Sequence, residues 1–341
     1  MIDEIMTQKL LAWYERNKRD LPWRGEPNAY HIWVSEIMLQ QTRVEAVKGY
    51  YARFLAALPT VQDLAEVDDD RLLKLWEGLG YYSRARNLKK AAQVIVRDYG
   101  GVIPASPEEL LKLPGIGLYT AGAVASIAYG APVPAVDGNV LRVCARLYAD
   151  YSDIALEQTK KAVALRLLRD MQAWVERSEA TELHRRWFNQ AMMELGACVC
   201  LPGGAPKCEI CPLDEDCLAF RQGLTGALPV KSAKKPRRIE QRHLYILRFE
   251  DRLALRRRPP KGLLAGLWEL PAAFDLPMEL ILSREDAGQA VHVFTHVEWH
   301  MAAERIVLCA PMDGLMWVTK EELERDYALP SAFSGFKGQM F

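Results

Sequence analysis

Five of the chain's seven cysteines fall between Cys198 and Cys217, and this crowding limits what the region can become more than any other feature. Cys200, Cys208, Cys211 and Cys217 are separated by seven, two and five residues, with Pro212 directly after the third. Four thiols this close point to shared metal ligation rather than a disulfide framework, and the odd total suits a reducing compartment. Spacing alone admits a structural zinc or an iron-sulfur cluster and leans mildly to the latter. Cys198 is an alternative ligand ranked below Cys200, while Cys144 and Cys309 read as small apolar core residues.

Around this cluster the apolar spacing from Ile2 to about Gln222 is helical, as in Leu10, Leu11, Tyr14 and Leu72, Leu73, Leu75, Trp76, broken at Pro59, Gly80, Gly100, Pro114 and Pro132. From Gly223 to Arg242 the chain turns polar, basic and proline-interrupted, which predicts an exposed linker over 223–241. Beyond it, runs with β character at His243–Phe249, Leu253–Arg256, Val291–Val297 and Leu315–Val318, then a helix at Lys320–Arg325, predict an α+β tail over 242–341. A length of 341 residues suits such a division into two or three domains. Lys plus Arg balances Asp plus Glu at 44 each, so net charge carries no hint of a polyanionic partner. With no signal-peptide core and no apolar run of spanning length, a cytoplasmic location without a membrane partner is expected.

Leu113-Pro114-Gly115-Ile116-Gly117 separates a helix opened by Ser106-Pro107-Glu108-Glu109 from another running Tyr119–Ala128. Glycines allow a sharp turn and close backbone approach, and the free N–H groups at the second helix's start suit a phosphate; a plain helix-turn-helix corner is the alternative. Twenty residues after Gly117, an apolar loop delivers Asp137 to the start of a helix over Val140–Tyr148. Taken alone, Asp137 is an N-cap. Hairpin and aspartate together resemble the helix-hairpin-helix DNA glycosylase superfamily, whose essential aspartate occupies this place.

Two further segments, Leu21-Pro22-Trp23-Arg24 leading into Trp33–Thr42, and Gly78-Leu79-Gly80-Tyr81-Tyr82-Ser83-Arg84, resemble the adenine mismatch glycosylases, the MutY family. The resemblance implies an all-α catalytic region over 1–222, with a six-helix barrel at about 29–137 and an iron-sulfur domain made of 1–28 and 138–222. It also implies a four-iron four-sulfur (4Fe-4S) cluster on Cys200, Cys208, Cys211 and Cys217, although the first interval is one residue longer than usual. Glu36 becomes the catalytic acid, in a helical run where a surface carboxylate would be the default; lining a pocket would raise its pKa and equip it to donate a proton. Asp137 becomes the anion that stabilises the departing sugar, with Tyr119 and Asn139 assisting. The related endonuclease III-like enzymes carry a lysine where Tyr119 stands, so no Schiff base and no strand cleavage are expected here.

The substrate implied is double-stranded DNA with adenine opposite 8-oxoguanine or guanine, bound by a monomer that flips the base out. Gly115, Gly117, Arg24 and Lys207 would contact DNA, and Gln41 and Tyr81 would wedge near the estranged base, where both otherwise read as ordinary helix-end residues. In the tail, Leu255–Pro271 resembles the start of a Nudix-type fold but lacks its glutamate-rich metal-binding helix, so nucleotide hydrolysis is not expected. Phe294, Thr295 and His296 resemble the family's Phe-Ser-His lesion-reading loop, with threonine for serine. A strand with His292, His296 and His300 on its wet face is the alternative.

Overall fold

A computed structural model of the chain describes residues 2–25, 27–178, 180–203, 206–233, 236–272 and 276–341. Contacts divide the chain into two compact units, Met1–Ala65 with Asn87–Ala233, and Glu66–Arg86 with Lys234–Phe341. No helix among the described residues is long and apolar enough to cross a membrane.

Among the described residues, twelve α-helices lie in the region read as helical: α1 (Glu4–Asn17), α2 (Ala29–Leu39), α3 (Val44–Ala57), α4 (Val61–Glu66), α5 (Asp69–Leu75), α6 (Ser83–Tyr99), α7 (Pro107–Leu110), α8 (Leu118–Tyr129), α9 (Gly138–Leu147), α10 (Glu157–Arg177), α11 (Glu182–Cys198) and α12 (Leu218–Arg221). Several of them start on a short polar side chain that accepts from a free backbone N–H group, as do Asp3 for α1, Asn28 for α2, Ser106 for α7 and Thr181 for α11. α8 is buried on every side from Thr120 to Ala128, because its small residues let α2 and α11 pack closely on either flank. A second core lies where α1, α9 and α11 meet, filled by Leu10, Tyr14, Val140, Phe188 and Leu195.

The other unit is built on a sheet of β1 (Arg238–Phe249), β2 (Arg252–Arg257), β3 (Trp268–Glu269), β4 (Ile281–Val293), β5 (Val297–Leu308) and β6 (Met316–Val318). Strand order is β3-β2-β1-β5-β4, with β6 on β2. β1 and β5 run parallel and the other pairs antiparallel. Leu244, Leu255, Trp299, Met301, Phe333 and Phe336 fill one face, and Leu247, Ala254, Ile306 and Leu308 the other. α13 (Lys320–Asp326) starts on a reciprocal capping box between Thr319 and Glu322.

Several expectations change. β1 starts at Arg238, inside the stretch read as linker, because its exposed first residues pair in register with Val297–His300. The single strand expected over Val291–Val297 is two strands joined by a tight turn, closed where the Phe294 N–H donates to the Val297 carbonyl at 2.8 Å. Most of β4 escaped notice because this edge strand is exposed and reads Ser-Arg-Glu-Asp-Ala-Gly-Gln along its middle. Cys144 is buried as expected, but Cys309 is exposed rather than in a core. Glu66–Arg86 is helical as read, through α5 and the start of α6, and its contacts group it with the sheet-containing unit. There the Lys74 ammonium donates to the carbonyls of Leu323 and Tyr327, and Glu77 accepts from the Leu329 N–H at 2.8 Å.

Candidate active site

Glu36 sits on the last turns of α2, a helix whose residues from Ile32 to Met38 are all buried, and is itself only 5 % exposed. Burial is the main reason its carboxyl is pushed up from 4.5 to about 7. The nearby charge of Asp137 adds to the rise, while a hydrogen bond from the Tyr119 hydroxyl at 2.5 Å and the charge of Arg24 oppose it. An acid of this kind holds its proton near neutral pH and can release it there.

Asp137 caps α9, its carboxylate accepting from the backbone N–H groups of Asn139 and Val140 at 2.9 and 2.8 Å and from the Asn139 side chain at 2.7 Å. Burial raises its pKa too, against the pull of those hydrogen bonds. The cap role does not compete with a place in the site, because only one carboxylate edge is needed for the helix. The preceding loop is held down by α8 and α11. Gly122 of α8 lies so close to the Pro134 carbonyl that a Cβ there would collide with it. The buried Asn189 side chain of α11 accepts from the Ala135 N–H at 2.9 Å and donates to the Val133 carbonyl at 2.8 Å.

Glu36, Tyr119, Asp137 and Asn139 line one cavity of about 650 Å³, within the range of small-molecule sites. An acid poised near neutrality and a second carboxylate, both partly shielded from water, face the same volume. Sequence reasoning missed three further contributors on α11: Asn189, which pins the loop, and Met193 and Glu194, which line the cavity. Their signal was two polar residues, Asn189 and Glu194, set among the apolar positions of an otherwise amphipathic helix.

The remaining expected residues fall in different settings. Gly115 has φ of +77° and sits against Asn87, where an added Cβ would be 2.6 Å from that residue's Cβ, so the hairpin turn needs glycine. Gly117 is the N-cap of α8 in extended backbone and is exposed. Arg24 lines the same cavity as Glu36, where its guanidinium pairs with Glu194 at 2.7 Å and is 13 % exposed. Lys207 is exposed beside the cysteine loop. Gln41 and Tyr81, read equally as ordinary helix-end residues, both adopt left-handed backbone, with φ of +59° and +48°. Such conformations are uncommon for non-glycine residues and concentrate at functional sites.

In the sheet-containing unit, Phe294, Thr295 and His296 form the β4–β5 turn. Phe294 is half-buried in an edge-on aromatic column, with His292 at 4.5 Å and Trp299 at 4.8 Å. Thr295 and His296 are exposed at the tip, and the Thr295 hydroxyl lies 2.8 Å from that of Tyr81. The three histidines do not share one face: His300 pairs with Glu298 at 2.7 Å, and His292 packs on Phe294.

Cys200, Cys208, Cys211 and Cys217 line one apolar cavity with Leu195 and Leu213. Among the described residues no three His, Cys, Asp or Glu side chains converge closely enough to grip a single metal ion. Four thiols lining one cavity form an all-sulfur donor set of the kind that holds a structural zinc or an iron-sulfur cluster. The Arg146 guanidinium donates to the Cys200 sulfur at 3.2 Å. Cys198 is not part of this lining, its sulfur facing Glu194 at 3.7 Å.

Residues 34–168 match the family described as HhH-GPD superfamily base excision DNA repair protein, and residues 242–336 match the NUDIX domain. An adenine DNA glycosylase of Arabidopsis thaliana is 37 % identical over 90 % of this chain, which spans 58 % of that relative's length. The Homo sapiens adenine DNA glycosylase is 33 % identical over 97 % of this chain and 73 % of its own. Among solved structures, a thermostable thymine-DNA glycosylase superposes with a TM-score of 0.56 at 29 % identity, covering 64 % of this chain and 96 % of that one. With a helical hairpin domain, a Nudix-like sheet domain and these relatives over most of its length, the chain belongs to the adenine DNA glycosylase family of base excision repair enzymes.

Proposed function

We propose that the chain hydrolyses the N-glycosidic bond of adenine mispaired with 8-oxoguanine, or with guanine, in double-stranded DNA, acting as a monomer and without strand cleavage. The observation that carries this reading is the shared cavity of Glu36 and Asp137, with Glu36 buried and its carboxyl pushed up to about 7. Adenine is a poor leaving group until protonated on its ring, and Glu36 supplies that proton; a positioned acid contributes about 10²–10⁴ in rate. As the C–N bond breaks, its electron pair leaves with the base and the sugar becomes oxocarbenium-like. Asp137 stabilises that cation, and a carboxylate ~4 Å away is worth up to about 4 kcal/mol at an effective dielectric near 20, or roughly 10³ in rate. Water then adds to the sugar and gives up a proton, which restores the Glu36 carboxyl. Tyr119 and Asn139 orient the two carboxyl groups, and Tyr119 offers no amine for a Schiff base.

The target base reaches this cavity by flipping, which costs a few kcal/mol and least at a mismatch. Gln41 and Tyr81 fill the gap, the hairpin at Gly115 and Gly117 and the exposed Lys207 hold phosphates, and Phe294, Thr295 and His296 read the opposite base. Cys200, Cys208, Cys211 and Cys217 hold a 4Fe-4S cluster, which when bound clips the loop carrying Lys207 and supplies no step of the hydrolysis. The test is single-turnover adenine release from duplexes that differ only in the base opposite adenine. Release opposite 8-oxoguanine and guanine, with little opposite thymine, is expected; equal release from all duplexes, or none, overturns the proposal.

A further inference from the structure

The cavity wall around Glu36 contains an ion triad that the reaction as described leaves unused. Arg19 and Arg24, both ahead of α2, close on Glu194 of α11, which is 0 % exposed. Arg19 donates to it through Nε, Nη2 and its backbone N–H at 2.7, 2.8 and 3.0 Å, and Arg24 through Nη2 at 2.7 Å. Burial would raise the Glu194 carboxyl, but the hydrogen bonds from both arginines and the charge of Arg24 outweigh it and hold it down at about 2. Glu194 is therefore a fixed anion beneath two cations in the lining of the pocket.

A buried carboxylate costs several kcal/mol of desolvation, and well-packed apolar residues often replace such pairs without loss of stability. Its position here suggests a use beyond stability. The charged and titratable groups around Glu36 come from several elements: Tyr119 on α8, Asp137 ahead of α9, Arg24 ahead of α2, Arg43 and Glu45 at the start of α3, and Glu194 with Arg19. Of these, Arg24 is the cation whose charge acts on Glu36, and it favours the carboxylate over the acid.

Resting on the role of Glu36 as proton donor, we propose that Glu194 is a positioning residue for the excision reaction: it anchors Arg24 in the pocket wall and cancels its charge, so that the wall does not hold Glu36 ionised. The two residues that touch the substrate's chemistry are Glu36 and Asp137; Glu194 acts through Arg24.

The experiment is the pH profile of single-turnover adenine release by the full chain with Glu194→Gln, Arg24→Gln, both together, and Glu36→Gln. In Glu194→Gln the alkaline limb moves down by about one pH unit, so the rate loss near pH 8 exceeds that near pH 5.5 by roughly tenfold. Arg24→Gln moves the limb up, and the double variant returns it to or above its wild-type position. A rate that falls by one factor at every pH in Glu194→Gln marks Glu194 as merely structural and overturns the proposal. Should Glu194→Gln not fold by far-UV dichroism, Arg24→Gln carries the test, and a limb that stays in place overturns it. Failure of the underlying reading looks different: the alkaline limb would then persist in Glu36→Gln at wild-type rate.

Discussion

Replacing Glu36 by glutamine should make the helical unit more stable, and by an amount that depends on pH. The carboxyl is 5 % exposed and is raised from 4.5 to about 7, chiefly by burial. A group whose folded pKa lies above its unfolded value is stabilising, in relative terms, below the unfolded value and becomes a growing burden as pH rises through the interval between the two. Below about pH 4.5 both states carry a neutral group, and the variant and wild type should differ little. Across the interval the folded chain must hold a proton that the unfolded chain has lost, at about 1.4 kcal/mol for each pH unit. The gap in favour of Glu36→Gln should therefore be about 1 kcal/mol near pH 5.5 and about 3 kcal/mol near pH 8.5. The amide is close in shape, and its oxygen can still accept from the Tyr119 hydroxyl, so packing changes are small. Urea unfolding followed by far-UV dichroism at the two pH values reads the gap directly. Parallel stabilities at both, or a wild type that gains on the variant as pH rises, would refute the claim that Glu36 is a desolvated acid.

Tyr119→Phe removes the hydrogen bond that favours the Glu36 carboxylate, so the alkaline limb of the pH–rate profile should move to higher pH; a limb shifted downward would contradict the geometry. Asp137→Asn keeps an N-cap for α9, since asparagine caps as well as aspartate, and should leave the melting temperature nearly unchanged while excision slows by about 10³. Retained activity in that variant would remove Asp137 from the mechanism. Gly115→Ala puts a side chain at φ of +77° against Asn87, and should cost about 1–2 kcal/mol and weaken binding to undamaged duplex; melting and filter binding check it, and unchanged values would show that the hairpin tolerates a Cβ.

Much of this was legible along the chain because it is written in local patterns. The 3.6-residue spacing up to Gln222, the Ser106 cap, the glycine at 115 and the cysteine intervals each depend on neighbours a few positions away. Polar strands were harder to find. β4 and the start of β1 carry exposed, charged residues, and only hydrogen bonds to β5, some sixty positions from the start of β1 in the chain, make them strands. The Phe294–His296 turn was hidden for a related reason, since an alternating apolar pattern runs straight across it. The pairing of Arg24 with Glu194, 170 residues away, was likewise not legible along the chain.

The order of residues by itself determined which chemistry was present: two carboxylates, a hairpin, four thiols, a tyrosine in place of a lysine. What it did not determine was the state of those groups. Tertiary packing decided that Glu36 is dry, that Asn189 pins the loop ahead of Asp137, and that four of the cysteines line one cavity. Desolvation and charge pairing depend on everything within a few ångströms, whatever its place in the chain, and no local pattern encodes that neighbourhood.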